Sequence, residues 1–318
     1  MNSLRPKISI IGAGSVGSSL AFSLLMKGAV REIVLIDKDL KRAQGECMDL
    51  NHGLSFCRPV NIYAAGFDGC KDSDIVVVTA GAKQKPGQTR IELLQANTEI
   101  LKEIIPQIVR YSPQAVILMV TNPVDILTYA TLKISGLPPS RVIGSGTVLD
   151  SSRLRYLMSV HCQVDARNVH AYVIGEHGDS ELAVWSNASI GGMMLEKYCP
   201  FCVHNATCRR DKELEEIFQQ VKNAAYKIIE AKGSTFYAIA LALVRICEAI
   251  VRDENSVLPV AALMKDYYGI SDICLSLPSI INAKGVEKVL HLELSDKEKL
   301  QFKKSAETLK QVIKKINF

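Results

Sequence analysis

The chain has 318 residues, 48% hydrophobic and 22% charged, a balance that excludes a disordered chain and leaves ample material for a buried core. Its 38 Lys and Arg against 33 Asp and Glu leave a net charge of only +5, and with 6% aromatic residues and no recognition motif a nucleic-acid surface is not expected. Nine cysteines scattered through apolar segments point to free thiols in a reducing cytosol. No uncharged apolar run reaches the roughly 18–20 residues of a membrane span, and the opening MNSLRPKISIIGAG does not read as a secretory signal.

From residue 7 to 146 short β-branched runs alternate with helical patterns. Strands are predicted at Lys7–Ile11, Glu32–Ile36, Asn61–Ala65, Ile75–Thr79, Ala115–Thr121 and Arg141–Ile143, most of them near-continuous Ile/Val runs of the kind covered on both faces. Helices are predicted between them, near Val16–Lys27, Lys41–Leu50, Thr89–Tyr111 and Pro123–Ile134. This alternation predicts an α/β fold built on a doubly wound parallel sheet. Beyond about residue 148 the pattern changes to an α+β one. Helices are predicted over Ser151–His161, Asp211–Ala231, Thr235–Arg252 and Asp296–Lys315, the last opened by a Ser295/Glu298 capping box. Strand-like pieces fall at Val169–Ile174, Val257–Leu263 and Cys274–Ile281. Two domains are expected, a dinucleotide-binding one over 1–147 and a substrate-binding, catalytic one over 148–318.

Gly12-Ala13-Gly14-Ser15-Val16-Gly17 follows the first strand and opens a helix, the Rossmann arrangement in which phosphates sit on free N–H groups at a helix N-terminus. Asp37 ends the second strand, where a carboxylate accepts bonds from both ribose hydroxyls and repels a 2′-phosphate. NAD is therefore expected over NADP, although Lys38 and Arg42 lie close by. Further cofactor contacts are expected at Val16, Arg42, Tyr63, Gly81, Ala82, Asn122 and Ser145. In the second half His177 stands in Gly-Glu-His-Gly-Asp, and Asp150 and Arg153 lie one helical turn apart. These three side chains suit one small acid: Asp150 to hold the imidazole, Arg153 to grip a carboxylate, and His177 to exchange a proton with an oxygen while hydride moves to or from a nicotinamide.

GAGSVG, the Asp37 strand end, AGAKQKPGQTR, TNPVDIL, DSSRLRY and IGEHGDSE occur in the order and spacing of the L-lactate/L-malate dehydrogenase family, and the chain resembles its shorter, bacterial members along essentially its whole length. The resemblance implies that His177 is the proton donor and acceptor, Asp150 its partner, and Arg153 the substrate-carboxylate anchor. It also implies that Arg90 polarises the substrate carbonyl from a closing loop and that Asn122 and Thr235 line the substrate. Gln84 stands where malate-specific members carry an arginine, so pyruvate and lactate are expected as substrates, with malate dehydrogenase, or an inactive NAD-binding relative, as the alternatives. Arg155 and His170 match an anion site that binds fructose 1,6-bisphosphate between subunits in allosteric members, and a homotetramer is implied. Cys199, Cys202, His204 and Cys208 have side chains that suit zinc, but the chemistry needs no metal and none is expected.

Overall fold

The structure, a computed structural model, describes residues 6–82, 89–201 and 210–316. In chain order the first half comprises β1 (Lys7–Ile11), α1 (Ser15–Lys27), β2 (Glu32–Ile36), α2 (Leu40–His52), β3 (Asn61–Ala64), β4 (Ile75–Val78), α3 (Arg90–Tyr111), β5 (Val116–Met119), α4 (Val124–Ser135) and β6 (Val142–Gly144). The second half continues with α5 (Val148–Cys162), β7 (Val169–His170), β8 (Val173–Ile174), β9 (Leu182–Ala183), β10 (Ser189–Ile190), β11 (Met193–Met194), α6 (Leu195–Tyr198), α7 (Arg210–Lys232), α8 (Tyr237–Val251), β12 (Ser256–Leu263), β13 (Cys274–Asn282), β14 (Gly285–Val289) and α9 (Asp296–Ile313).

Nine of these strands form one sheet in the order β14-β13-β12-β6-β5-β4-β1-β2-β3. The six from the first half are parallel, with the chain reversing direction across the sheet between β1 and β4. The last three are antiparallel additions, joined to β6 where Ala261 pairs with Gly144. The predicted Ile/Val runs are explained by this sheet, because both faces are covered. Ile8 and Ile10 of β1, Ile75 and Val77 of β4, and Val116 and Leu118 of β5 pack with α1, α2 and α8. The alternate residues Ile11, Val76, Val78, Ile117 and Met119 pack on the other face with α3, α4 and α9. The period of two that sends alternate side chains to opposite faces thus fills two cores from one run of apolar residues. Side chains of α8 and α9, from the second half, belong to these two clusters, so the cores are shared.

Two expectations shift in the second half. Val169–Ile174 is not one strand: β7 pairs with β10 and β8 with β9, in separate small sheets. The break falls at Ala171 and Tyr172, where the chain leaves one sheet for the other. The first helix of this half begins at Val148, three residues earlier than the apolar spacing indicated, and so takes in Asp150. The capping box of α9 is present, with the Ser295 side chain accepting the Glu298 N–H and Glu298 accepting the Ser295 N–H at 2.8 Å. Among the described residues no helix is long and apolar enough to cross a membrane.

Phe302 of α9 is wholly buried, its ring edge-on to that of Tyr267, whereas Leu300 two residues earlier is 71% exposed. Phe302→Ala is expected to cost about 3–5 kcal/mol and Leu300→Ala less than about 0.5 kcal/mol, read as midpoint shifts in urea denaturation.

Candidate active site

The C-terminal ends of the parallel strands form the first part of the site. Gly12 leaves β1 with φ +105°, and a Cβ there would lie 2.8 Å from both the Ala80 amide nitrogen and Thr79 Oγ1. A Cβ on Gly17 would fall on the Gly12 carbonyl oxygen, so only glycine lets α1 start this close to the turn. Gly14 is the N-cap of α1 and supplies no side-chain cap, and the space above it is open. The first N–H groups of α1 are therefore available to an anion. Asp37, just past β2, accepts the Ala13 N–H at 2.7 Å and the Asp39 N–H at 2.9 Å, which places its carboxylate beside the glycine turn with acceptor capacity remaining. Val16 lies half-buried in the first turn of α1 and Arg42 exposed in the first turn of α2. This arrangement at the reversal between β1 and β4 fits a dinucleotide.

Gly81, Ala82, Asn122 and Ser145 lie at the same edge. The side chain of Asn97, buried on α3, ties two of them together: its Oδ1 accepts the Ala82 N–H at 2.7 Å and its Nδ2 donates to the Asn122 carbonyl at 3.1 Å. The Ser145 N–H bonds to the Met119 carbonyl at 2.8 Å, holding the end of β6 to that of β5. Tyr63 is not brought to this edge. Its hydroxyl donates to Glu32 at 2.7 Å and accepts from Lys7 at 3.2 Å, and these are the first residues of β2 and β1, at the opposite end of the strands. An ion pair between Lys7 and Glu32 draws the phenol to that end.

The second part converges on Asp150, in the first turn of α5. Its Oδ2 lies 2.6 Å from His177 Nδ1, and its Oδ1 accepts from an Arg153 guanidinium N–H at 2.7 Å. The Asp150 carboxylate is 3% exposed, the Arg153 side chain 14% and the His177 side chain 25%, so the charge is buried while the imidazole keeps a path to solvent. Burial opposes ionisation of Asp150, but the charges and hydrogen bonds of His177 and Arg153 outweigh it and hold the carboxyl below its usual range. Burial likewise opposes a charged imidazole; the Asp150 charge and hydrogen bond, helped by Asp125 and Glu181, overcome it and push His177 up to about 9. Arg153 uses part of its donor fork on Asp150 and keeps most of it for another carboxylate.

Two residues not anticipated from the sequence complete this cluster. Asp125, fully buried in the first turn of α4, accepts the His177 backbone N–H at 2.7 Å, and burial pushes its carboxyl up to about 7 against that bond. Glu181, also buried, is pushed up by burial and by the Asp150 charge. One ligand atom from each of Asp150, His177 and Glu181 lies within 4.8 Å of the others, the spacing of a metal site. Both Asp150 oxygens, however, are already engaged by His177 and Arg153, an arrangement suited to handling a proton. A signal for Asn97 and Asp125 did exist: each is a polar residue set among the apolar positions of a predicted helix.

The remaining expected residues divide. Arg90 is the first residue of α3, fixed by a Thr89/Glu92 capping box. Gln84 lies outside the described residues, as do Cys202, His204 and Cys208; Cys199 is half-buried. Thr235 is half-buried between α7 and α8, beside Lys232, whose ammonium sits 3.6 Å and 4.1 Å from the ring centres of Phe236 and Tyr237. Arg155 donates to the Ala171 carbonyl at 3.0 Å and stacks over Tyr172, next to the exposed His170.

Because the folded-state pKa of His177 lies above the ordinary 6.5, its contribution to stability is complete below about pH 6.5 and lost as pH rises through about 9. A histidine NMR titration is expected to place its midpoint near 9. In Asp150→Asn the midpoint should fall well below that, and the fall in stability over the same window should flatten. An unchanged midpoint would refute the assignment of the shift to Asp150.

Residues 6–144 match the model of the lactate/malate dehydrogenase NAD binding domain, and residues 147–317 that of the lactate/malate dehydrogenase alpha/beta C-terminal domain. The chain is 53% identical to an L-lactate dehydrogenase of Acetivibrio thermocellus over 99% of both chains. It is 51% identical to L-lactate dehydrogenase 1 of Clostridium acetobutylicum over 98% of both. Among solved structures, the ligand-bound minor L-lactate dehydrogenase of Enterococcus mundtii superposes with a TM-score of 0.95 at 38% identity, covering 99% of this chain and 100% of that one. A lactate dehydrogenase from a Medee basin deep-sea metagenome library gives 0.93 at 43% identity, covering 98% and 99%. With both domain models matched in order and such relatives aligned end to end, the chain belongs to the lactate/malate dehydrogenase family.

Proposed function

We propose that the chain is an L-lactate dehydrogenase, interconverting pyruvate, NADH and a proton with (S)-lactate and NAD+. The observation that carries this reading is the Asp150 carboxylate holding the His177 imidazole and the Arg153 guanidinium at once. The relatives named L-lactate dehydrogenase support it. Residues 1–147 bind the cofactor and 148–318 supply the chemistry. Bound NADH provides the hydride. Arg153 pairs with the substrate carboxylate, and Arg90 and Asn122 polarise and orient its carbonyl. His177, held protonated by Asp150, delivers the proton to the carbonyl oxygen, and in the reverse direction the neutral imidazole receives it. Thr235 bounds the pocket. In the reducing direction the reaction regenerates NAD+ for glycolysis under fermentation, in the cytoplasm.

Gln84 sets the choice of substrate. Pyruvate offers a methyl group where oxaloacetate has a second carboxylate, and a neutral amide cannot compensate that charge in a closed site. Wild type is expected to prefer pyruvate strongly, and Gln84→Arg to move selectivity toward oxaloacetate by about 1–3 kcal/mol, read from the two kcat/KM values for each protein. A wild type that favours oxaloacetate makes it a malate dehydrogenase; one that binds NADH without turning over any 2-oxo acid makes it an inactive relative.

The working assembly is a homotetramer. Its support is the set of large apolar side chains left bare on two packed helices, Phe22 and Met26 on α1 and Tyr237 and Leu241 on α8, all more than half exposed. Arg155 and His170 form the effector site for fructose 1,6-bisphosphate, whose phosphates neutralise cationic groups brought together between subunits. Millimolar bisphosphate is expected to lower the half-saturating pyruvate concentration, and an unchanged saturation curve removes the effector from this reading.

A further inference from the structure

Ser305 lies on α9, the last helix, and is wholly buried, yet its hydroxyl reaches the loop that carries His177. It accepts the Glu176 N–H at 2.9 Å and lies 3.0 Å from Ser180 Oγ. Ser180 gives its only hydroxyl proton to the Glu176 carboxylate, so the Ser305 hydroxyl must donate to Ser180. The result is a closed ring: Glu176 amide to Ser305, Ser305 to Ser180, and Ser180 back to the Glu176 side chain. It spans the loop on both sides of His177.

Two further contacts hold the stretch that leads into His177. Gly175 exchanges N–H and carbonyl bonds with Ser276 of β13 at 3.0 and 2.9 Å, and the His177 N–H is held by Asp125 of α4. The Gly175 contact takes the carbonyl side of the Gly175–Glu176 peptide, and Ser305 takes its N–H side. The fit there is close, since a Cβ on Gly175 would come within 2.8 Å of Ser305 Oγ.

We propose that Ser305 is a positioning residue for the dehydrogenase reaction, holding the Glu176 amide and Ser180 so that the His177 imidazole meets Asp150 and the substrate oxygen together. The inference rests on the activity proposed above. The charged groups around His177 are Asp150 and Arg153 from α5, Asp125 from α4, and Glu176, Asp179 and Glu181 on its own segment, with Lys222 of α7 bonded to the Asp179 carbonyl. Replacing Ser305 or Ser180 by alanine removes none of these charges. Ser180→Ala also frees the Glu176 carboxylate, so it is a displacement of the pH profile shared by Ser305→Ala and Ser180→Ala that reports the geometry of the His177–Asp150 pair.

The test compares wild type, Ser305→Ala, Ser180→Ala and the double variant for kcat, pyruvate KM, NADH affinity by fluorescence, the pH dependence of kcat for pyruvate reduction, and Tm. Ser305→Ala is expected to lower kcat on the order of tenfold, with NADH affinity unchanged and the alkaline limb moved to lower pH as the pair with Asp150 loosens. Ser180→Ala should do the same, and the double variant should be no worse than the worse single one, because all three break the same ring. Should Ser305→Ala fail to fold, Ser180→Ala, on the half-exposed loop, tests the ring alone. Folded variants with wild-type kcat overturn the proposal, as does a loss of activity with an unmoved pH profile and additive single effects. A wild type inactive on pyruvate would instead overturn the dehydrogenase reading, and this proposal with it.

Discussion

The site depends on a carboxylate that is almost out of reach of water. A buried negative charge is tolerated only when hydrogen bonds and opposite charge replace its hydration, and Asp150 obtains both from His177 on one oxygen and Arg153 on the other. Removing either partner would leave a charge at 3% exposure only half compensated. The parts of the fold that fix this geometry follow from that need: α5 starts early enough to carry Asp150 in its first turn, and the loop after β8 is held so that the imidazole meets it. Asp125, equally buried, shows the other outcome. It receives a backbone N–H and no cation on its own helix turn, and burial carries its carboxyl up to about 7. Two neighbouring acids are thus tuned in opposite directions by what each one touches, which keeps negative charge near the imidazole concentrated on the residue that faces it.

Much of this was legible in the chain. The strands of the parallel half lie where the Ile/Val runs placed them, β1 and β2 to the residue, because a strand buried on both faces has only one kind of sequence available to it. The two-residue strands β9 to β11 carry no period to read, and β14 at the sheet edge hides behind Glu287 and Lys288. In the site, the glycine turn, Asp37, Asp150, Arg153 and His177 announce themselves by residue type and spacing. Asn97 and Asp125 act through backbone groups of other segments, and a contact of that kind depends on which loops the fold brings together. Tyr63 misled for a related reason: a tyrosine one residue from the end of its strand can point either way, and the Lys7–Glu32 pair decided the direction.

The nine-stranded sheet has a consequence for how the molecule comes to exist. Part of what packs with the parallel half is synthesised last: α8 lies against α1, α8 and α9 add side chains to the two cores that β1, β4 and β5 fill, and β12 pairs at the edge of β6. Glu176 and Ser305 meet across 129 residues of chain. A nascent first half would carry an unpaired β6 edge and two incompletely covered apolar faces, the conditions under which chains associate with one another before they finish folding. Closing such distant contacts is also slow. The two halves, though each is matched by its own domain model, should therefore gain and lose structure as one body.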